Sequence, residues 1–540
     1  MTDPPADGDP SAPETADGDP PPDASQSDGP PPETPAAESP ADDADDPDDH
    51  GSSSDSITEG GLVRPLVSLA WPIVVIQLLQ VTYNIADTLW LGRLSSDAVG
   101  AISLAFPLIF LLIAVAGGFT TAGAILVAQH TGAKGDRSAG LVTGQTVSFV
   151  SLLSVVIGVV GFFYTRPALE ILPSDAQTAA SVIPLAADYM EVIFMGIPLM
   201  FGFFVFSALM RGYGDTRTPM FVMAVSVGLN VFLDPFFIFG FANNPLFTWL
   251  GLGGLEATLQ AATGFTGLGI EGAALATILS RGVGTAIGLW LLFGTGIGPA
   301  VTFEHLRPDF GVIEDIVRLG TPSMVEQSTS ALAMITLTAM IVTFSPPIVA
   351  AYGLGNRLIS LVFLPAMGLG RAIDTMVGQN LGADRADRAS RATWLAAGTG
   401  AAVMTVVAVI AVLFTEPIIA VFMGDVPDAA ATIANGVEYV QIRSVEFAFI
   451  GVSQVILGAF RGAGNTRTAM VISILTLWIG RVGSVYALVF VFEWGATGVW
   501  VGMALGNILG AVIGVAWFLR GTWKDRYIDE PAVEADESAV

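Results

Sequence analysis

Residues 211–218 read RGYGDTRT and residues 461–468 read RGAGNTRT, a separation of 250 residues. Two further similarities lie at the same offset. Pro72 corresponds to Pro322, and the pattern V-x-Q-x-x-G-A occurs once in each half. Three matches at one offset in an apolar chain indicate a duplicated membrane unit. Paired repeats of this kind form the two bundles of many secondary transporters.

The composition is that of an all-α integral membrane protein. The 540 residues are 52 % apolar, with a mean hydropathy of +0.65, and only 13 % are charged, against about 25 % in soluble domains. Four long stretches contain no Asp, Glu, Lys or Arg: 138–165, 327–356, 392–415 and 494–519. Each exceeds the roughly 18 apolar residues that suggest a spanning helix. Buried helices of soluble proteins rarely exceed about 20 residues.

About twelve spans are predicted, six for each repeat. They are 65–91, 98–128, 139–164, 180–210, 217–240, 266–295, 311–342, 346–378, 392–414, 432–460, 467–492 and 496–520. The amino-terminal bundle is expected at 61–297, a connecting loop at 298–310, the carboxyl-terminal bundle at 311–522 and an acidic tail at 523–540.

Residues 1–60 hold 18 acidic residues and no Lys or Arg. This segment has too few large apolar side chains to offset its ordering entropy, so we expect a disordered, solvating tail. The chain has only two lysines, Lys134 and Lys524, and an acidic surface poor in lysine suggests a host that lives in high salt. Cysteine is absent, which excludes disulfides and thiolate metal sites.

The distribution of basic residues predicts the orientation. If the loops alternate between two sides, 15 basic residues fall on one side and only Arg93 and Arg166 on the other. Basic loops are retained in the cytoplasm, so both termini are expected inside, in the cytoplasmic membrane. The RGxGxTRT motifs then lie at equivalent inner turns, where their glycines permit tight turns and their arginines meet lipid headgroups.

Ionisable residues at membrane depth are costly and mark functional sites. The first span carries Gln80, Tyr83, Asn84 and Asp87, and the fifth carries Asn230 and Asp234 one turn apart. At 1.5 Å per residue, Asp234 lies about 24 Å and Asp87 roughly 33 Å from the inner side. Both carboxylates therefore fall in the outer half of the membrane, where they could face one cavity.

The repeat comparison restricts this site to the first bundle. At offset 250, Asp87 corresponds to Leu337 and Asp234 to Ser484. Two carboxylates with amide and hydroxyl oxygens can hold a sodium ion, because hard cations prefer oxygen ligands. Alternatively, a desolvated carboxyl group can exchange a proton. The sequence leaves both choices open.

Other charges inside the spans fall into two groups. Arg443 with Glu446, and Arg371 with Asp374, have i, i+3 spacing and are expected to form structural pairs. Four others have no partner nearby in sequence and are candidates to line the cavity: Glu191, Arg281, Glu326 and Arg481.

The repeats, the RGxGxTR turns and the string Asn230-Val-Phe-Leu-Asp234-Pro235 resemble the multidrug and toxic compound extrusion (MATE) transporters, over about residues 62–520. With Gln80 and Asp87, the pattern is similar to the DinF-type branch. The resemblance implies two six-helix lobes related by a pseudo-twofold axis and a monomeric antiporter that exports organic cations in exchange for Na⁺ or H⁺.

Carried onto this chain, the resemblance gives a cation site formed by Asp87, Asn230, Asp234 and Thr277, with Na⁺ as a possible ligand. Supporting cavity residues would be Gln80, Tyr83, Asn84 and Glu191. Pro72 would kink the first helix to couple ion binding to cargo release. No cofactor is expected beyond the coupling ion, and the expected partners are small organic cations and the lipid bilayer, with no nucleic acid.

Two other functions remain as alternatives. A flippase for lipid-linked precursors would show a cationic cavity, and Arg281 and Arg481 keep that alternative open. A membrane enzyme would need a nucleophile with its base, a phosphate-binding loop or a histidine cluster. The three histidines lie apart, at His50, His130 and His305, so an enzyme is not expected.

Overall fold

The computed structural model describes residues 57–170, 176–423 and 429–528. Its long helices are labelled here α1 to α12, six for each repeat. The amino-terminal lobe contains α1 (Val63–Leu94), α2 (Ser96–Gly132), α3 (Asp136–Glu170), α4 (Ala176–Tyr213), α5 (Arg217–Phe239) and α6 (Gly269–Gly294). Two short helices, Pro245–Leu250 and Gly253–Thr263, fill the inserted loop between α5 and α6.

A 3₁₀ turn, Phe303–Leu306, lies between the lobes. The carboxyl-terminal lobe contains α7 (Phe310–Ile341), α8 (Pro346–Gly382), α9 (Ala386–Met423), α10 in two parts (Ala429–Ser444 and Phe447–Gly462), α11 (Thr466–Ile474, continuing to Val491) and α12 (Gly495–Phe518). The order of these helices agrees with the predicted spans.

Ten of the described helices are long and apolar enough to cross a membrane, and the bent pair of α10, with 50° between its parts, raises the number to eleven. The remaining helix, α7, is 32 residues long. Polar residues such as Glu326 and Gln327 lower its hydropathy. Its packing nevertheless matches that of α1, the first helix of the other repeat.

The first helix of each repeat packs against the second helix of the other repeat: α1 lies on α8, and α7 lies on α2. Glycines allow the close approach. A Cβ atom at Gly118 of α2 would lie 2.4 Å from the backbone nitrogen of Met324 in α7. At the other crossing, a Cβ atom at Gly368 would lie 2.6 Å from Val74. Each lobe therefore contacts the other through the first helix of its own repeat.

The sequence motifs meet where the lobes join at the end that carries the arginine-rich loops, called here the basic end. Gln129 donates from Nε2 to the carbonyl oxygen of Gly462 at 3.0 Å, and Gln379 donates likewise to Gly212 at 3.0 Å. Each glutamine belongs to a V-x-Q-x-x-G-A pattern and each acceptor to an RGxGxTR motif. The motifs thus form reciprocal contacts between the repeats, which agrees with a structural role.

Short segments at both ends of the described chain pack on the basic end. Ile57 is buried, and Arg388 donates to the carbonyl oxygens of Ile57, Glu59 and Gly60. Trp523, at the other end, is 1 % exposed. The predicted tails at 1–60 and 523–540 therefore include ordered residues. The remainder of the predicted tails, 1–56 and 529–540, lies outside the described residues.

Candidate functional site

Three helices of the amino-terminal lobe bring the predicted cation-binding residues together. Asp87 comes from α1, Asn230 and Asp234 from α5, and Thr277 from α6. All four are buried, with exposures of 6 %, 1 %, 0 % and 2 %. With Tyr83, these residues form what we call the polar cluster.

The local sequence explains how α5 and α6 come so close. Gly272 lies against the end of α5, where a Cβ atom would be 2.2 Å from the carbonyl oxygen of Phe237. The loop after α5 is held by Asn244, which donates from Nδ2 to the carbonyl oxygens of Pro235 and Gly240, both at 2.8 Å. Both ends of the α5–α6 connection are therefore fixed, and Thr277 of α6 lies within hydrogen-bonding distance of Tyr83 of α1.

Hydrogen bonds connect the cluster across the helices. The hydroxyl groups of Tyr83 and Thr277 are 2.7 Å apart. Asn230 donates from Nδ2 to Oδ1 of Asp234 at 3.0 Å, one turn along α5. Asp87 of α1 lies close enough to Asp234, Asn230 and Tyr83 to interact with each of them. The structure thus places the two aspartates of α1 and α5 in direct proximity.

Three oxygen atoms of the cluster are buried without a hydrogen-bond partner: Oδ1 of Asp87, Oδ1 of Asn230 and Oδ2 of Asp234. Leaving such an atom buried and unpaired is costly. An oxygen set of two carboxylates and an amide fits a small hard cation or a shared proton. No group of three or more His, Asp or Glu side chains that could hold a metal ion occurs among the described residues.

Arg281 of α6 borders the cluster. It donates from Nη2 to Oε1 of Gln80 at 2.6 Å, and Gln80 donates in turn to Asn84 at 3.2 Å. Its guanidinium lies 5.3 Å from the ring centroid of Tyr83 and 5.1 Å from that of Phe203. The predicted supporting residues Gln80 and Asn84 are therefore linked to the cluster through Arg281, one of the charges that the sequence suggested as lining the cavity.

The structure gives Glu191 a partner that is distant in the sequence. Its carboxylate accepts a hydrogen bond from Nε of Arg166 at 2.7 Å, and Asp188 accepts from the same guanidinium at 2.7 Å. This pairing joins Glu191 of α4 to Arg166 of α3. Tyr189 is the residue of α4 that lies near Asp87 and Asp234, and it is 6 % exposed. No sequence pattern singles out Tyr189, because a tyrosine in a helix of this composition usually belongs to the core.

The carboxyl-terminal lobe contains a different site. A cavity of about 500 Å³ is lined by side chains of α7, α8, α10, α11 and α12, together with Phe110 of α2. Glu326 accepts from Arg461 at 2.6 Å at its wall. The expected pair of Arg443 and Glu446 forms and is fully buried, and Arg371 lies 3.5 Å from Asp374. Glu326 and Arg481 do line a cavity, as predicted, but in this lobe.

The duplication and the paired lobes are shared with known proteins. The MatE family model matches the chain twice, over residues 72–236 and 322–486. This chain belongs to the MatE family. The two matched regions are separated by the 250 residues that the motifs predict. MatE proteins are multi-pass membrane transporters.

Curated relatives extend over nearly the whole membrane region. A probable multidrug resistance protein of Bacillus subtilis, YpnP, is 27 % identical over 469 residues, which is 86 % of this chain and 97 % of the relative. The probable multidrug resistance protein NorM of Thermotoga maritima is 28 % identical over 486 residues, 86 % of this chain and 94 % of the relative.

A solved structure supports the fold. It is described as the outward-facing conformation of a multidrug resistance MATE family transporter of the MOP superfamily. Its TM-score is 0.75 at 24 % sequence identity, and the match covers 87 % of this chain and 98 % of the other.

Proposed function

We propose that this MatE protein is a cation-coupled antiporter that exports organic, mostly cationic compounds across the cytoplasmic membrane by alternating access. The observation that carries the proposal is the pair of buried aspartates, Asp87 and Asp234, on two different helices. Multidrug resistance proteins among the relatives support the class of cargo. The arginine-rich loops support an orientation with that end in the cytoplasm.

The physical basis of coupling is charge neutralisation. Two carboxylates in a dry site repel each other and lack water to solvate them. A cation bound between them, either Na⁺ or a proton, removes this cost and lets α1 and α5 stay together. Release of the cation leaves the charges exposed to each other, and a cationic cargo can then neutralise the site. The coupling ion and the cargo would compete for the same negative charge.

Pro72 is a second part of the proposal. It lies within α1, is buried, and precedes Asp87 on the same helix. A proline removes one backbone hydrogen bond and permits bending. We propose that bending of α1 at Pro72 links occupancy of the cluster to cargo release.

The test uses proteoliposomes that contain the full-length chain and a fluorescent organic cation, with Na⁺ and pH gradients imposed separately. Asp87→Asn and Asp234→Asn should each reduce gradient-driven efflux to the level of empty vesicles, while their thermal unfolding stays close to that of wild type. Asp136→Asn, which removes an exposed acid at the start of α3, should export normally. Full-rate export by both cluster variants would refute the coupling site.

The alternative of a lipid-linked precursor flippase predicts a different result in the same vesicles. A flippase would move a fluorescent anionic lipid between leaflets and would leave the organic cation where it is. The two acids of the polar cluster favour cationic cargo in the amino-terminal lobe, so we expect efflux of the dye without lipid movement.

A further inference from the structure

The cavity of the carboxyl-terminal lobe has the opposite polarity to the polar cluster. Its charged lining residues are Glu326, Arg371, Arg461 and Arg481. Glu326 neutralises Arg461, and Asp374 lies beside Arg371. Nε of Arg481 is buried without a hydrogen-bond partner, and none of the ion pairs found among the described residues includes Arg481. The cavity therefore presents one uncompensated positive charge.

The nearest carboxylate does not neutralise Arg481. Glu446 interacts with it only at a distance, and both of its oxygens are engaged. Arg443 donates to Oε1 of Glu446, and Asn507 donates to Oε2 at 3.0 Å. At the positions that correspond to Asp87 and Asp234, this lobe has Leu337 and Ser484. The repeat has thus lost both acids and gained a basic residue.

The backbone around Arg481 departs from α-helical geometry, which favours a functional role for this segment. Residues Leu475–Gly483 form a π-helical segment, and π-helical turns in proteins are frequently found at functional sites. Gly506 of α12 faces it closely, since a Cβ atom there would lie 2.6 Å from Cβ of Arg481. In the other repeat, the corresponding helix α5 is a regular α-helix.

A second buried polar group faces the same cavity without a partner. Thr476, five residues before Arg481, is 8 % exposed, and its Oγ1 atom is buried and makes no hydrogen bond in the described structure. It lines the cavity together with Asn356. The apolar part of the wall includes Tyr352, Phe363 and Met367. A ligand that satisfies this cavity needs an anionic group with hydrogen-bond acceptors, attached to an apolar or aromatic body.

We propose that the carboxyl-terminal cavity binds the anionic group of an amphiphilic cargo, a carboxylate or a phosphate, with Arg481 as the residue that recognises its charge. That the bound compound is a cargo rests on the proposed transport function. Binding itself does not depend on ion coupling. A zwitterionic compound could place its cationic group at the acidic lobe and its anionic group at Arg481, so the two lobes would recognise the two ends of one substrate class.

The test measures equilibrium binding to the purified full-length protein with matched dyes. Rhodamine 110 carries a free carboxylate, and rhodamine 123 is its methyl ester. Arg481→Gln should weaken binding of rhodamine 110 by about tenfold, the loss expected for one charge-assisted hydrogen bond. Binding of rhodamine 123 should stay unchanged. Arg481→Lys should restore part of the loss, because the charge returns without the planar fork.

Arg217→Gln is the matched control, since it removes the same charge from an exposed position at the start of α5. It should leave both dyes unaffected. Riboflavin and flavin mononucleotide, which differ by one phosphate, form the phosphate arm of the same experiment. A loss restricted to the phosphate member would identify phosphate as the recognised group, and a loss restricted to rhodamine 110 would identify carboxylate.

Several results would overturn the proposal. Equal weakening of both members of each pair would mean that Arg481 only shapes the cavity. Unchanged binding in Arg481→Gln would mean that the charge is not used. Displacement of the dyes by inorganic phosphate at the same concentrations would show a site for free anions and not for cargo. None of these results depends on Asp87 or Asp234, so failure here is separable from failure of the coupling site.

Discussion

At the scale of single residues, the polar cluster is held in place by only a few side-chain contacts. Asp234 is fully buried, and one of its oxygens is occupied by Asn230 while the other is free. Asn230 thus orients one carboxylate and offers its own free oxygen to a ligand. Removing its amide should therefore affect cation binding more than folding.

Asn230→Ala is expected to weaken the apparent affinity for the coupling cation by about tenfold, because a hydrogen bond to a charged group contributes about 1.5–3 kcal/mol. The measurement is the Na⁺ concentration or the pH that gives half-maximal efflux in proteoliposomes. Ser226→Ala serves as control, since Ser226 lies one turn earlier on α5 and donates to the carbonyl oxygen of Ser280 outside the cluster. An unchanged half-maximal value in Asn230→Ala would contradict the assignment.

Much of this cluster could be predicted from sequence, because it depends on helical spacing and depth. Asn230 and Asp234 are one turn apart, and the rise per residue placed Asp87 and Asp234 in the same half of the membrane. Pairs between distant segments could not be predicted in this way. Glu326 and Arg461 are 135 residues apart, and Glu191 and its partner Arg166 lie on different helices.

The buried pair of Glu326 and Arg461 gives a prediction on stability. Breaking a buried ion pair by removing one partner costs about 3–5 kcal/mol, because the other charge stays buried alone. Glu326→Ala should therefore lower the midpoint of thermal unfolding strongly, since Ser473 also loses its acceptor. The double variant Glu326→Ala, Arg461→Met should recover part of the loss. Equal midpoints for the single and double variants would argue against a net contribution of charge.

At the scale of helices, glycines determine how closely the lobes approach. A Cβ atom at Gly382, at the end of α8, would lie 1.9 Å from the carbonyl oxygen of Gln129, and one at Gly132 would lie 1.9 Å from that of Gln379. Backbone atoms cannot move aside as a flexible side chain can. The contact at the basic end therefore requires glycine at both positions, which the sequence pattern alone showed only as a repeated V-x-Q-x-x-G-A.

Gly382→Ala and Gly353→Ala lie on the same helix and should have opposite effects. No atom lies within 4 Å of a Cβ atom at Gly353, so this change should raise the unfolding midpoint, because alanine favours a helix by roughly 0.5–1 kcal/mol over glycine. Gly382→Ala should lower the midpoint and separate the lobes at the basic end. Similar midpoints for the two variants would contradict the close packing there.

At the scale of the whole molecule, the two repeats make equivalent contacts where the lobes meet, but their polar sites differ. Each repeat supplies a glutamine that bonds to the other repeat, a glycine in close backbone contact with it, and a first helix that packs on it. Only the first repeat keeps its two acids, and only the second has a π-helical segment with an unpaired arginine. The contacts that join the lobes can be predicted from the repeated motifs, and so can the local pair of Arg443 and Glu446. Pairs between distant segments required the structure.

The carboxyl-terminal segment adds a further asymmetry at the basic end. Oε1 of Gln129 accepts from the backbone nitrogen atoms of Tyr527 and Ile528 at 2.9 and 3.3 Å. The Tyr527 hydroxyl donates to Asp315 at 2.9 Å, and burial together with this neighbour raises the pKa of Tyr527 to about 12. The hydroxyl group stays protonated at physiological pH. Arg526 lies 3.0 Å from Asp384, so the segment connects several helices of both lobes.

Gln129→Leu should therefore shift the molecule toward separation of the lobes at the basic end more than Gln379→Leu does. The first change removes the bond to Gly462 and the contacts with the carboxyl-terminal segment, whereas the second removes only the bond to Gly212. Each lost hydrogen bond is worth about 0.5–1.5 kcal/mol, so two more losses change the equilibrium between joined and separated lobes by at least roughly fivefold.

Because the chain has no cysteine, spin labels can be placed at cysteines introduced for Arg137 and Arg391 alone. The population with a long distance between the labels should increase in the order wild type, Gln379→Leu, Gln129→Leu. Equal shifts in the two variants would mean that the carboxyl-terminal segment does not help to hold the lobes together.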